Sequence, residues 1–180
     1  MSSSDNEDWY DEKAQHDPAW SAWCLQRCIT ERIEALFTDT LPALPHELLH
    51  RVGAMPSGDR FADAMLDWFD VLIPEWFATR AAVENPANFT AVDRVVSYLG
   101  EALVRRVGGI WVNIPGIGSP VYDAFGPAVT FDFSDDPSYP LWDLRNAGED
   151  GLFLTSTIGG LIADRDHRHS TSPVFADKHP

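Results

Sequence analysis

Residues 90–114 read TAVDRVVSYLGEALVRRVGGIWVNI, and this stretch decides the fold. Its first part predicts a helix over about 91–107, because apolar residues recur there at helical spacing. The glycine pair at 108–109 is typical of a helix end, and the β-branched and aromatic residues at 110–114 predict a strand. The buried face of this helix is predicted to comprise Val92, Val95, Val96, Leu99, Leu103 and Val107.

The chain upstream of this stretch is also predicted to be helical. Apolar spacing predicts three earlier helices, over about 18–37, 45–52 and 59–73. Gly53 is expected to end the second of them, and Pro74 is expected to break or kink the third. Thr90 with Asp93 forms a pattern that resembles a capping box, which predicts the start of the helix that follows.

Strand-like periodicity appears again after these helices. Residues 128–133 alternate apolar and polar side chains and predict a strand, and residues 139–144 predict another. Residues 152–163 fit either a strand or an interrupted helix. Helices followed by strands predict an α+β fold, in which N-terminal helices pack on a small, mainly antiparallel C-terminal sheet.

Three segments of different composition organise the chain. Residues 1–16 are expected to be a disordered acidic leader, residues 17–163 a single α+β domain, and residues 164–180 a loose polar tail. The sequence contains no run of about 18 uncharged apolar residues, so it predicts no membrane span. Its first residues lack the basic and apolar regions of a signal peptide, so a cytoplasmic protein is expected.

Acidic residues dominate the charge of the chain. It contains 28 Asp and Glu against 13 Lys and Arg, which gives a net charge of −15, and its only lysines are Lys13 and Lys178. Such a surface repels phosphate groups, so direct binding of nucleic acid is not expected. A basic protein partner, a bound cation, or adaptation to a high-salt cytoplasm each fits this charge.

The string HELLH, which begins at His46, matches the HExxH pattern of zinc-dependent hydrolases. On a helix, His46 and His50 face the same way and would bind one zinc ion, while Glu47 would act as general base on the metal-bound water. Zinc needs a third protein ligand, and the next helix offers Asp67 or Asp70. Without that ligand, the string predicts only a short surface helix.

A second acidic feature is the spacing of Asp59, Asp63, Asp67 and Asp70, which predicts an acidic ridge along the third helix. Like charges four residues apart destabilise a helix by roughly 0.2–0.5 kcal/mol per pair, so selection for stability alone rarely produces them. The ridge is either a solvated face of an acidic protein or a docking face for a basic partner.

Residues 98–101 read YLGE, and residues 105–111 read RRVGGIW. This combination resembles a helix-to-strand signature in small bacterial proteins of uncharacterised function, some of which accompany toxin systems as candidate immunity proteins. The likeness extends over about residues 90–133. It implies that these residues serve packing, with an ion pair between Glu101 and Arg105.

These patterns together predict an acidic cytoplasmic protein that binds another protein, as an immunity or inhibitor protein does, without catalytic activity or a cofactor. The alternative is a zinc-dependent hydrolase built on the HExxH pattern, with zinc as its cofactor. A structural subunit of a larger assembly is a third interpretation, and a large exposed apolar patch would identify it.

Overall fold

The computed structural model describes residues 11–115 and 120–130. Its α-helices are α1 (Glu12–Gln15), α2 (Pro18–Trp23), α3 (Gln26–Ala35), α4 (His46–Val52), α5 (Asp63–Trp76), α6 (Arg80–Val83) and α7 (Phe89–Val107). A π-helical turn at Leu36–Thr40 follows α3, and 3₁₀ turns occupy Leu41–Ala43 and Pro86–Asn88. Two strands come last, β1 (Ile110–Asn113) and β2 (Pro127–Thr130).

The two strands pair in antiparallel orientation, with Ile110 opposite Thr130. Helices thus precede a small antiparallel sheet, and the α+β prediction is confirmed. Five predicted segments lie outside the described residues: the first part of the leader (1–10), the end of the strand over 128–133 (131–133), the strand over 139–144, the ambiguous segment 152–163, and the tail 164–180.

Helix α7 is the centre of the described structure. Residues 95–103 are all buried, and the helix contacts α3 and both strands, as a helix inside a core does. Gly108 ends it in the left-handed conformation, with a φ of 83°. Its start differs from the prediction, because α7 begins at Phe89 after the N-cap Asn88. Thr90 therefore lies inside the helix, and the predicted capping box is wrong.

The long helix predicted over 18–37 is two helices. α2 ends at Trp23 and α3 begins at Gln26, because the backbone turns at Leu25, where ψ is 127°. Arg32 Nη2 donates a hydrogen bond to the Trp23 carbonyl oxygen over 2.7 Å, and so satisfies a carbonyl at the end of α2. The spacing of apolar residues does not predict such a break, because the break is stabilised by a polar side-chain contact that leaves no periodic pattern in the sequence.

Residues 11–16, which were predicted to belong to the disordered leader, form α1 and its caps, so that prediction is wrong for them. Asp11 Oδ1 accepts a hydrogen bond from Lys13 N over 2.8 Å and caps the helix. Gln15 Nε2 donates to Asn113 O over 2.7 Å, and Gln15 Oε1 accepts from Asn113 N over 2.8 Å. The side-chain amide of Gln15 thus makes the same two hydrogen bonds to Asn113 that a neighbouring strand would make. It therefore covers this edge of β1.

Helix α4 agrees with its prediction, and α5 does not. α4 follows Pro45 and ends at Gly53, whose φ of 90° favours glycine. α5 begins at Asp63 rather than near Asp59, because Asp59 Oδ1 accepts a hydrogen bond from Phe61 N over 3.0 Å and forms a turn before the helix.

Proline 74 lies inside α5 and does not end it, since the helix continues to Trp76. The buried side of this helix includes Phe69, which packs on Tyr98 of α7 with ring centroids 4.3 Å apart. No helix within the described ranges is long and apolar enough to cross a membrane.

Candidate binding sites

The HELLH string forms most of α4, and its three polar side chains are exposed. His46, Glu47 and His50 all lie on the surface. Among residues 11–115 and 120–130, no group of three or more His, Cys, Asp or Glu side chains is placed to hold a metal ion. The structure therefore does not bring His46 and His50 together with Asp67 or Asp70 as a ligand set.

The contacts of α4 are structural. Leu48 is buried in the core, and Trp68 Nε1 of α5 donates to the Gly53 carbonyl oxygen over 3.0 Å. On the outside, Arg51 Nε lies 2.8 Å from Glu75 Oε2, with both side chains about half exposed. These contacts hold the end of α4 against α5, which is a packing role for the helix that carries the motif.

Three of the four ridge aspartates share one side of α5. Asp63, Asp67 and Asp70 fall within an arc of about 60° on a helix of 3.6 residues per turn. Asp59 lies outside the helix, so a helical ridge of four is wrong. Asp63 accepts a hydrogen bond from Arg106 Nη2 over 2.6 Å and stays 70% exposed.

An exposed apolar side chain lies beside these aspartates. Val71 is 50% exposed, and it follows Asp67 by four residues, so the two are neighbours on the helix surface. Apolar side chains in globular proteins are commonly turned inward on such a helix. The outer side of α5 is therefore acidic with an apolar contact point.

Two of the aspartates also act on a buried tyrosine. Tyr98 donates its hydroxyl hydrogen to the Arg60 carbonyl oxygen over 2.6 Å. Burial raises the pKa of the Tyr98 hydroxyl far above its usual range, and the negative charges of Asp59 and Asp70 raise it further. The hydroxyl is therefore held in its neutral, hydrogen-donating form.

Most arginines of the described residues form ion pairs within the fold. One of the closest joins Arg60 Nη1 to Glu34 Oε1 over 2.5 Å, and the predicted pair of Glu101 with Arg105 is confirmed at 2.7 Å. The paired arginines are Arg32, Arg51, Arg60, Arg80, Arg94, Arg105 and Arg106. Their guanidinium groups are engaged by the protein's own carboxylates, which limits what they offer to an acidic partner.

A third site was missed by the sequence analysis and centres on Asp93. Trp23 Nε1 donates to Asp93 Oδ1 over 2.8 Å, and the Tyr122 hydroxyl donates to the same oxygen over 2.7 Å. Arg32 Nε lies 3.6 Å from Asp93 Oδ2. Burial raises the pKa of Tyr122 well above its usual range, and the adjacent Asp93 charge raises it further, so this hydroxyl remains a donor.

A groove of about 400 Å³ opens beside this network. Its lining includes Trp23, Phe89, Asp93, Tyr122, Asp123 and Phe125. The sequence signal for this groove was weak, because its members come from α2, from α7 and from the loop before β2. Asp93 was interpreted as part of a helix cap.

The described residues thus contain two candidate sites, the acidic side of α5 and the aromatic groove with its carboxylates. They do not bring the polar side chains of the HELLH string into a group of metal ligands. Sequence resemblance adds nothing further to this choice. No protein-family model, no curated protein and no solved structure matches the chain.

Proposed function

We propose that this chain is an acidic binding protein that holds a basic protein partner against the outer side of α5. The observation that carries the proposal is the placement of Asp63, Asp67 and Asp70 on one side of α5 together with half-exposed Val71. A carboxylate cluster around an apolar contact fits a basic segment that presents one apolar side chain.

Charge supports the same proposal. The net charge of −15 would steer a basic partner toward the protein, and the rate of association would fall as salt increases. Arg106 already pairs with Asp63 at 2.6 Å, so a basic partner would share or displace that contact, and the 70% exposure of the Asp63 side chain leaves it within reach of a partner.

An inhibitor-like role is the form of this function that we favour. A protein with a basic cleft, such as one that acts on nucleic acid, would be blocked by an acidic helix side lying in that cleft. The resemblance of about residues 90–133 to small bacterial proteins, some of which accompany toxin systems, would imply this form. The HExxH hydrolase stays the alternative, and the zinc content of the purified protein distinguishes it from a binding protein.

The test compares two triple variants that remove the same amount of charge. Asp63→Asn/Asp67→Asn/Asp70→Asn neutralises the α5 side, whereas Glu12→Gln/Glu31→Gln/Glu47→Gln neutralises three exposed glutamates elsewhere. Each variant and the parent protein capture partners from lysate at low and high salt. The captured basic protein is then purified and its Kd is measured for each variant.

We expect the α5 variant to lose about tenfold or more in affinity, mainly through slower association, and the control to lose much less. Circular dichroism of both variants establishes that the helices persist. Equal losses in the two variants would show that only net charge matters, and no loss in either would overturn the proposal.

A further inference from the structure

The groove beside Asp93 has a composition that selects for a particular kind of ligand. Its walls are aromatic and aliphatic, and two carboxylates, Asp93 and Asp123, stand among them. Phe89 and Phe125 are partly exposed there, whereas Trp23 and Tyr122 are nearly buried. Aromatic faces are electron-rich and attract cations, and the attraction grows where a carboxylate is close.

Asp93 retains an oxygen for a ligand. Its Oδ1 accepts the hydrogen bonds from Trp23 and Tyr122, while its Oδ2 accepts none from the described residues. Arg32 Nε forms an ion pair with this oxygen at 3.6 Å, which is too long for a hydrogen bond, because the Nε donates to Ser97 Oγ over 2.7 Å and the Nη2 to the Trp23 carbonyl. The Asp93 side chain is 27% exposed and lines the groove, so it is open in part to a ligand there.

The same aromatic cluster already holds one guanidinium group. The Arg32 guanidinium carbon lies 4.3 Å from the centre of the Trp23 ring, within the distance of a cation–π contact. The groove and its margin contain two carboxylates against this one cation, so an excess negative charge remains. A second planar cation is therefore favoured by charge and by the ring faces.

We propose that this groove binds a guanidinium group, and specifically an arginine side chain of the basic partner. Arginine fits better than lysine because its planar guanidinium presents five donors to the carboxylates and stacks on ring faces such as those of Phe89 and Phe125. This proposal rests on the proposed function for the source of the arginine. It adds a second contact point, which the α5 aspartates alone would not provide.

The test uses small ligands that differ in charge but hardly in shape. N-acetyl-arginine amide and its neutral counterpart, N-acetyl-citrulline amide, are titrated into the full chain, and the Trp23 indole N–H signal is followed by NMR. We expect saturable shifts with a Kd of about 1–10 mM for the arginine ligand and at least about tenfold weaker binding for citrulline.

Two single variants locate the binding. Asp123→Asn removes an exposed groove carboxylate and is expected to weaken binding of the arginine ligand about three- to tenfold, whereas Glu31→Gln, at an exposed carboxylate on α3, is expected to leave that binding unchanged. Equal binding of arginine and citrulline, or shifts spread over the whole acidic surface instead of the groove, would overturn the proposal.

The two proposals fail in different ways. Loss of partner affinity in the α5 variant with no groove binding of the arginine ligand would leave the proposed function standing and remove the groove. If the arginine ligand binds in the groove but the α5 variant keeps its affinity for the partner, the groove proposal stands and the proposed function is removed. If both proposals hold, Asp123→Asn also lowers the affinity of the chain for the purified partner. In the structure of the complex, an arginine side chain of the partner then lies in the groove.

Discussion

Helix α4 and the Asp93 network differ in what their sequences display and in what their side chains do. α4 carries a recognisable motif, yet His46, Glu47 and His50 are exposed and form no metal-ligand group with α5 in the part of the chain that the structure describes. The network has no motif, yet Trp23 and Tyr122 converge on Asp93 from 70 and 29 residues away. Spacing within one helix fixes which side chains share a side, whereas convergence depends on packing between distant segments.

The largest expected effect comes from removing the shared acceptor of the network. In Asp93→Ala, the Trp23 indole and the Tyr122 hydroxyl lose their acceptor, and Arg32 loses its neighbouring charge. We expect the free energy of unfolding to fall by about 2–4 kcal/mol, measured by denaturant titration.

Glu47→Ala in α4 is the matched control for that change, because it also removes one carboxylate from a helix. Its side chain is exposed, so a loss below about 0.5 kcal/mol is expected. Similar losses of unfolding free energy in the two variants would mean that the network contributes no more to stability than the motif does.

Alkaline pH compares the network with the contact between α5 and α7, because each contains a buried tyrosine. Burial raises the pKa of Tyr122 and of Tyr98 in the folded protein, whereas in the unfolded chain both ionise near pH 10. Their stabilising contribution is complete below that pH. Above it the unfolded chain has lost these protons, so the free energy of unfolding falls by about 1.4 kcal/mol per pH unit for each tyrosine until the folded pKa is reached.

Tyr122→Phe isolates one of the two contributions. Denaturant titrations at several values between about pH 9 and 11.5 are expected to show a slope about 1.4 kcal/mol per pH unit shallower than that of the parent protein. Tyr98→Phe gives the corresponding value for the contact between α5 and α7. An unchanged slope in Tyr122→Phe would mean that the Tyr122 hydroxyl ionises as freely in the folded state as in the unfolded one.

A smaller effect is expected at the edge of β1, where distant residues also converge. Gln15→Ala removes both bonds to the Asn113 backbone and is expected to lower the free energy of unfolding by about 1–2 kcal/mol. Hydrogen exchange at the Asn113 amide is the specific readout, and it is expected to accelerate about tenfold or more. Lys13→Ala, on the exposed side of α1, serves as the control and leaves that amide protected.

The smallest effect is expected in the motif itself. His46→Ala/His50→Ala changes two exposed side chains, so the free energy of unfolding is expected to shift by less than about 0.5 kcal/mol. Elemental analysis of chelator-free parent protein is expected to find less than about a tenth of an equivalent of zinc. About one equivalent in the parent, lost in the double variant, would contradict this and revive the hydrolase alternative.

Local signals predicted the parts of the fold that local chemistry determines. The apolar stripe of α7 and the glycines at 53 and 108 mark elements that the structure retains, because helix ends depend on one residue adopting a positive φ. The α2–α3 break was not predictable in this way, since Arg32 reaches back to the Trp23 carbonyl through a tertiary contact.

The candidate site was predictable only in part. The three aspartates of α5 share a side because helical spacing alone places them there, and the end of the ridge at Asp59 was missed because a turn interrupts the helix pattern. Asp93 could not be assigned from its neighbours in sequence. Its acceptor role depends on Trp23 and Tyr122, and periodicity carries no information about which distant donors a carboxylate meets.

The bond between Gln15 and Asn113 also places a constraint on the order of events during synthesis. The two residues are 98 positions apart, so at typical translation rates about 5–20 s pass between their additions to the chain. Throughout that interval α1 has no strand edge to cover. A ribosome-bound chain arrested before residue 113 is therefore expected to be cleaved by protease within residues 11–16, and a chain released after β2 is expected to resist.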